Sequence, residues 1–326
     1  MDKVLMAPMT LAGLEGAFVE ALREAGFELV YPNTGTQLTE EELLAFLPGI
    51  KASLAGSEPY TARVLAANPQ LRVIARVGVG YDAVDVTAAT KNGCAVTTTP
   101  GTNEGSVAEH TFCLILGLAK NLVPQHLGVK EGGWPRGATL PLRGRTLGIA
   151  GLGRIGKAVA LRGAAFAMRL LAYDPFPDTA FAAHHHITFV PFERLLAESD
   201  YLTLHLPVSA ESRYLINRRT LALMKPTAFL INAARGAVVN EADLLDALRS
   251  KRIAGAALDV FENEPPGKHP LFELDNVLLT PHAAGTDVQS RDDMALSAAR
   301  AIVSLSRDEW PEEKVVNPEV RAAFRW

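Results

Sequence analysis

With 326 residues, the chain is longer than a single hydrophobic core usually spans, so two domains are expected. Hydrophobic residues make up 48 % and charged residues 21 %, the balance of an ordinary globular protein. The net charge of −4 gives no excess of Lys and Arg for nucleic acid, and no apolar run reaches the ~20 residues of a membrane span, so neither partner is expected.

The first residues, Met1-Asp2-Lys3-Val4-Leu5, read as the start of a strand and lack a signal-peptide pattern, which points to the cytoplasm. Strands are expected over 3–7, 28–31, 50–55, 71–75 and 95–97, with helices over 14–25, 40–47 and 61–67. The polar, turn-rich stretch 97–103 then leads into a long apolar helix over 106–122. A second series of strands covers 146–150, 169–173, 187–190, 201–204, 227–232, 255–259 and 277–280. Helices fit between them at 155–167, 192–197, 219–224 and 241–250, and a last helix covers about 287–306. Alternation of this kind makes βα units and parallel sheets, an α/β fold. A chain that leaves one domain and returns to it late places both crossings at a shared cleft, where small-molecule sites tend to lie. Cys94 and Cys113 stand in apolar surroundings without ligand spacing, so both read as core residues. His184-His185-His186 reads as exposed surface because adjacent side chains diverge and no carboxylate or Cys partner is patterned nearby. No metal is expected.

The strand at 146–150 runs directly into Gly151-Leu152-Gly153-Arg154-Ile155-Gly156, and a helix follows. The first glycine permits a tight turn, the second lets backbone N–H groups approach a pyrophosphate, and the third allows close helix–strand packing. The anion then meets the positive end of the helix dipole. Glycines alone punctuate many turns, but the strand before and the helix after supply the required context. Asp174 ends the next strand, 18 residues beyond Gly156. A carboxylate there accepts from ribose hydroxyls and repels a 2′-phosphate. With no Arg adjacent, NAD is the expected cofactor and NADP is disfavoured.

Three more segments end strands: Asn232-Ala233-Ala234-Arg235-Gly236, Asp259-Val260-Phe261-Glu262-Asn263-Glu264-Pro265 and Thr280-Pro281-His282-Ala283-Ala284-Gly285. Together with the glycine turn, in this order and spacing, they resemble the D-2-hydroxyacid dehydrogenases over nearly the whole chain. The resemblance implies a catalytic Arg235, Glu264 and His282. It implies two doubly wound domains, a Rossmann domain for NAD over 99–287 and a flavodoxin-like substrate domain over 1–98 and 288–326. It further implies a homodimer, with the 106–122 region near the interface. Cofactor contacts implied beyond the glycine turn, including its Arg154 and Ile155, are Ser106, Asp174, His205, Pro207, Ala233, Asp259 and Gly285. Ser106 would touch nicotinamide or phosphate, His205 and Pro207 would cover the adenine, and Asp259 would accept from the nicotinamide carboxamide.

The chemistry of the residues leads to the same roles. Arg235, Glu264 and His282 all follow carboxyl ends of strands, the edge of an α/β sheet where ligands bind. A 2-keto acid carries a carboxylate beside a carbonyl, and Arg offers both a rigid charged fork. Its reduction also needs a proton, which His supplies near neutrality, and a neighbouring carboxylate orients the ring and favours its protonated form. Alone, Arg235 fits a salt-bridging loop residue, Glu264 a turn residue before Pro265, and His282 a loop-packing His. Their coincidence after a dinucleotide turn is what points to catalysis.

In the first domain, Arg76-Val77-Gly78-Val79-Gly80-Tyr81-Asp82 closes a strand, and glycines around Val79 expose backbone N–H groups as an anion nest. By resemblance, Val79 and Gly80 hold the substrate carboxylate, and Ala55 and Gly56 line the same pocket. Several phosphoglycerate enzymes carry an Arg in that stretch where this chain has small residues. Glyoxylate or hydroxypyruvate and 3-phosphoglycerate are the leading substrates. Ending at Trp326 without an added domain, the chain is not expected to show serine feedback. The rival reading from another class is a non-catalytic NAD-sensing protein of the corepressor type, which keeps the same triad. Formate dehydrogenase resembles the pattern with Gln in place of Glu264.

Overall fold

The computed structural model describes residues 1–32 and 34–326, which divide into two compact units. Unit 1 holds Met1–Asn103 and Thr286–Trp326, and unit 2 holds Glu104–Gly285.

Unit 1 runs β1 (Lys3–Met6), α1 (Ala17–Glu24), β2 (Glu28–Val30), α2 (Glu40–Phe46), β3 (Ile50–Ala55), α3 (Ala62–Ala67), β4 (Val73–Arg76), α4 (Val86–Lys91) and β5 (Ala95–Thr97). Unit 2 begins with α5 (Glu104–Ala119) and α6 (Leu122–Lys130), then β6 (Thr146–Ala150), α7 (Arg154–Ala165), β7 (Arg169–Tyr173), α8 (Thr179–His184) and β8 (Thr188–Phe189). It continues with α9 (Phe192–Glu198), β9 (Tyr201–Leu204), α10 (Arg218–Leu221), β10 (Phe229–Asn232), α11 (Glu241–Arg249), β11 (Gly255–Leu258) and β12 (Val277–Leu279). The chain then returns to unit 1 as α12 (Val288–Ser306).

Both sheets are parallel throughout: β2-β1-β3-β4-β5 in unit 1 and β12-β11-β10-β9-β6-β7-β8 in unit 2. The unit 1 order is that of flavodoxin-like sheets, and the unit 2 order is the doubly wound dinucleotide-binding order with one strand added. In unit 2 the order reverses between β6 and β9, which makes the ends of those strands the switch point where ligands bind. In unit 1, α12 supplies Ala295, Ala298, Ala299, Ile302 and Leu305 to a core shared with Phe18, Val19 and Leu22 of α1. Buried Asn317 ties the C-terminal segment to β5, accepting from Val96 N–H at 2.9 Å and donating to the Cys94 carbonyl at 3.0 Å.

Several departures from the expected elements have local causes. The first helix starts at Ala17 because Gly16 precedes it at φ 152°. The long apolar helix stops at Ala119, and a second begins after Asn121, whose φ of 52° breaks the first. Helices α4 and α8 are short and were not legible from periodicity, but each has an Asp cap, Asp85 and Asp178. Cys94 is buried, whereas Cys113 is exposed, which corrects its reading as core. An almost uniformly apolar helix gives no pattern from which to tell its solvent side. Likewise His185 is half-buried against Phe181, ring centroids 4.3 Å apart, and not surface like its neighbours. Among the described residues, no three His, Cys, Asp or Glu are grouped to hold a metal, and no single helix is long and apolar enough to cross a membrane.

Candidate active site

At the switch point, Gly151 follows β6 with φ 94°, and a Cβ there would stand 2.5 Å from the His205 carbonyl oxygen. A Cβ on Gly156 would collide with the Gly151 carbonyl, whereas one on Gly153 would meet nothing within 4 Å. Two glycines thus allow close backbone packing and the middle one leaves open space over the turn. Gly153 is also the N-cap of α7 and provides no side-chain cap, so the first N–H groups of that helix remain for an anion. Arg154 and Ile155 form its first turn. Asp174 braces the turn from β7: its Oδ2 accepts from Leu152 N–H at 2.7 Å and its Oδ1 from Phe176 N–H at 2.8 Å. Each oxygen retains a lone pair for a ribose hydroxyl.

His205 shapes this turn through its backbone, donating its N–H to the Ala150 carbonyl at 2.8 Å. Its ring is buried with Nε2 2.9 Å from Thr203 Oγ1, and Nδ1 has no partner among the described residues. Burial pushes its pKa down to about 3, so the ring is neutral at working pH. The residue as a whole is half-buried, and its carbonyl oxygen is the atom packed over Gly151. Exposed Pro207 follows, and its carbonyl accepts from Ser212 Oγ at 2.6 Å.

Arg235, Glu264 and His282 emerge from β10, β11 and β12, three neighbouring strands in register. Asn232 sets the first loop: its Oδ1 accepts from Ala234 N–H at 3.1 Å and its Nδ2 donates to the Arg235 carbonyl at 2.9 Å. A Cβ on Gly236 would collide with the Phe261 backbone, so this loop lies directly on the next one. Phe261 N–H in turn donates to Glu264 Oε1 at 2.9 Å. The other oxygen of Glu264, Oε2, lies 2.6 Å from His282 Nδ1. This pairing places the Nδ1 proton toward the carboxylate and leaves Nε2 to pass a proton on. His282 sits in the left-handed region at φ 52°, anchored by its N–H to the Asp259 carbonyl at 2.7 Å.

Asp259 is wholly buried and holds the loop that carries His282. Its Oδ1 accepts from Thr280 Oγ1 at 2.6 Å and Ala283 N–H at 2.9 Å, and its Oδ2 accepts from Ala284 N–H at 3.0 Å. Ser106 Oγ donates to the Ala284 carbonyl at 2.8 Å, and His110 Nε2 lies 3.0 Å from Thr280 Oγ1. These bonds make Asp259 the anchor of the His282 loop, and Oδ2 keeps an acceptor site beyond the one taken by Ala284 N–H. Ser106 likewise braces the same loop. Gly285 ends it, and Ala233, Val107 and Ala284 form a small apolar cluster with Ile155 beside it.

Glu241 and Glu262, unremarked in the sequence, accept each other's backbone N–H at 2.7 Å. Tyr214 O–H donates to Glu262 at 2.8 Å, and His269 Nε2 lies 3.1 Å from Glu241. Burial raises the Glu241 pKa, opposed by the hydrogen bond from Glu262 N–H. The exchange pins the start of α11 to the segment carrying Glu264. Its signals in the sequence are an Asn240 cap and acidic residues, which also decorate many surface helices.

In unit 1, the turn after β4 donates Val77 N–H to the Ala55 carbonyl at 2.8 Å and Gly78 N–H to Thr99 Oγ1 at 3.1 Å. Among the described residues, the N–H groups of Val79, Gly80 and Tyr81 make no hydrogen bond.

Residues 112–284 match the family model described as D-isomer specific 2-hydroxyacid dehydrogenase, NAD binding domain. A glyoxylate reductase of Korarchaeum cryptofilum is 43 % identical over 272 residues, covering 81 % of each chain. The chain belongs to the D-isomer-specific 2-hydroxyacid dehydrogenases. As such it is an NAD-dependent dehydrogenase, and the glycine turn, uncapped α7 and Asp174 fit that cofactor. A D-3-phosphoglycerate dehydrogenase of Archaeoglobus fulgidus is 38 % identical over 293 residues, 89 % of this chain but 55 % of the relative. The chain therefore spans about half the length of that relative. Among solved structures, the D-lactate dehydrogenase of Aquifex aeolicus complexed with NAD and lactic acid superposes with a TM-score of 0.84 at 29 % identity. That match covers 97 % of this chain and 99 % of the other.

In this dehydrogenase, Asp174→Ala should cut kcat/KM for NADH by about tenfold, the scale of hydrogen bonds to a charged group, while NADPH use falls less. Initial rates with both cofactors check this, and equal use of the two by the unmutated enzyme would remove Asp174 from the assignment.

Proposed function

We propose that the enzyme interconverts a small 2-keto acid and its D-2-hydroxy acid, with His282 as acid–base, Glu264 as its orienting partner and Arg235 as the substrate clamp. The observation that carries this reading is the 2.6 Å contact of His282 Nδ1 with Glu264 at adjoining strand ends. When bound, NADH supplies the hydride to the keto carbon. Arg235 binds the carboxylate and polarises the carbonyl, and the N–H groups of Val79 and Gly80, in the pocket lined by Ala55 and Gly56, add donors to the carboxylate. His282 delivers the proton to the developing alkoxide from Nε2, and Glu264 stabilises the imidazolium that starts the step.

Glyoxylate and hydroxypyruvate are the preferred substrates in this reading, ahead of a phosphorylated acid. Relatives named glyoxylate reductase are covered over 81 % and 91 % of their length, the phosphoglycerate relative over 55 %. The small residues Ala55 and Gly56 offer no cation for a phosphate. We also propose a cytoplasmic homodimer. Helix α6 buries none of its residues, and it leaves Leu122, Val123, Leu127 and Val129 exposed with Trp134 beyond it, a surface suited to a second copy.

Initial rates of NADH oxidation with glyoxylate, hydroxypyruvate, phosphohydroxypyruvate and pyruvate test the function, and light scattering on the same sample tests the dimer. Turnover should be best with the first two. No turnover of any keto acid would favour the NAD-sensing reading, a preference for phosphohydroxypyruvate would overturn the substrate, and a 35.0 kDa monomer would overturn the dimer.

A further inference from the structure

Arg76 ends β4 with a side chain turned into unit 1, and the residue is only 8 % exposed. Its Nε donates to the Gly80 carbonyl at 2.8 Å, and its Nη1 donates to the Ala55 carbonyl at 3.0 Å. Those carbonyls belong to two separate turns, after β4 and at the end of β3. Glu58, 2 % exposed, lies beside them and accepts from Gly56 N–H at 2.5 Å. Burial raises the Glu58 pKa, and the Arg76 charge opposes that rise.

A trans peptide points its C=O and the following N–H in opposite directions. Drawing the Gly80 carbonyl into the protein therefore turns Tyr81 N–H outward. The bond from Thr99 N–H to the Gly78 carbonyl, at 3.0 Å, does the same for Val79 N–H. Glycine at 78 and 80 leaves the backbone little resistance of its own to a peptide flip. An inverted 80–81 peptide would put a carbonyl where a carboxylate is to bind.

We propose that Arg76, braced by Glu58 and anchored on the Ala55 carbonyl, is a positioning residue for substrate: it holds the Gly80 carbonyl inward so that Tyr81 N–H joins the N–H groups of the 79–81 turn that receive the substrate carboxylate. Arg76 itself does not touch the substrate. This rests on the reading that the turn binds the carboxylate. A planar fork fits two carbonyls on different turns, and the single ammonium of Lys does not.

The test is steady-state kinetics with glyoxylate and NADH, together with NADH binding by fluorescence, for Arg76→Gln, Arg76→Lys and Val79→Pro. The last variant removes an N–H of the turn directly. Arg76→Gln should raise KM for glyoxylate about tenfold, the loss expected for one charge-assisted hydrogen bond, with kcat and NADH affinity little changed. Arg76→Lys should restore part of the loss. A merely structural Arg76 would lower melting temperature and active fraction and leave KM alone. Unmoved KM in both Arg76 variants, with KM raised in Val79→Pro, overturns the Arg76 proposal and keeps the carboxylate reading. Unmoved KM in all folded variants overturns both, and if Arg76→Gln does not fold, Arg76→Lys decides by the same criterion.

Discussion

Arg235→Lys should lower keto-acid turnover by about 10²–10³-fold, the cost of losing a charge-stabilising donor in the transition state. The charge survives this change, but the planar fork does not, and a 2-keto acid presents carboxylate and carbonyl oxygens that one ammonium cannot grip together. Asn232 and Gly236 fix the loop through its backbone, so the variant should keep its local structure. NADH binding should change little, because the glycine turn and Asp174 belong to β6 and β7. Single-turnover rates with saturating NADH measure the loss, and near-normal rates would show that another group holds the substrate.

His282→Ala should lower kcat by roughly 10²–10⁴-fold in both directions, the usual worth of a positioned acid–base group, without abolishing NADH binding. The sign of the pH dependence follows from proton balance. Reduction consumes a proton, so His282 must begin protonated; oxidation releases one, so it must begin neutral. Reduction should therefore decline on the alkaline side while oxidation rises over the same range. His205 does not produce this limb, because burial has already pushed it down to about 3. Glu264→Gln keeps the shape of the Nδ1 partner and its acceptor oxygen while removing the charge.

The fold was legible because both units repeat βα alternation, and the glycine turn carries its own context of strand and helix. Arg235, Glu264 and His282 could be located because each follows the end of a strand, where side chains meet ligands. What holds them was less visible. Asn232 holds the backbone two and three residues on, Gly236 and the Glu241–Glu262 exchange act through backbone groups of loops distant in sequence, and no periodicity records those contacts. The motif around Asp259 was read for a ligand contact, and the structure adds what its sequence did not tell: three donors from residues 280–284 make it the anchor of the His282 loop. Arg76 was read only as part of a turn, since a sequence does not tell whether a strand-end Arg points outward or folds back onto carbonyls.

The most direct test of the central claim is kcat in both directions for the unmutated enzyme, Glu264→Gln and Glu264→Ala. With His282 paired to Glu264 at 2.6 Å, both variants should lose turnover in both directions while NADH binding holds, and Gln, which keeps an acceptor for Nδ1, should lose less than Ala. Turnover that stays where it was in both variants would contradict the pairing and leave His282 without the partner assigned to it.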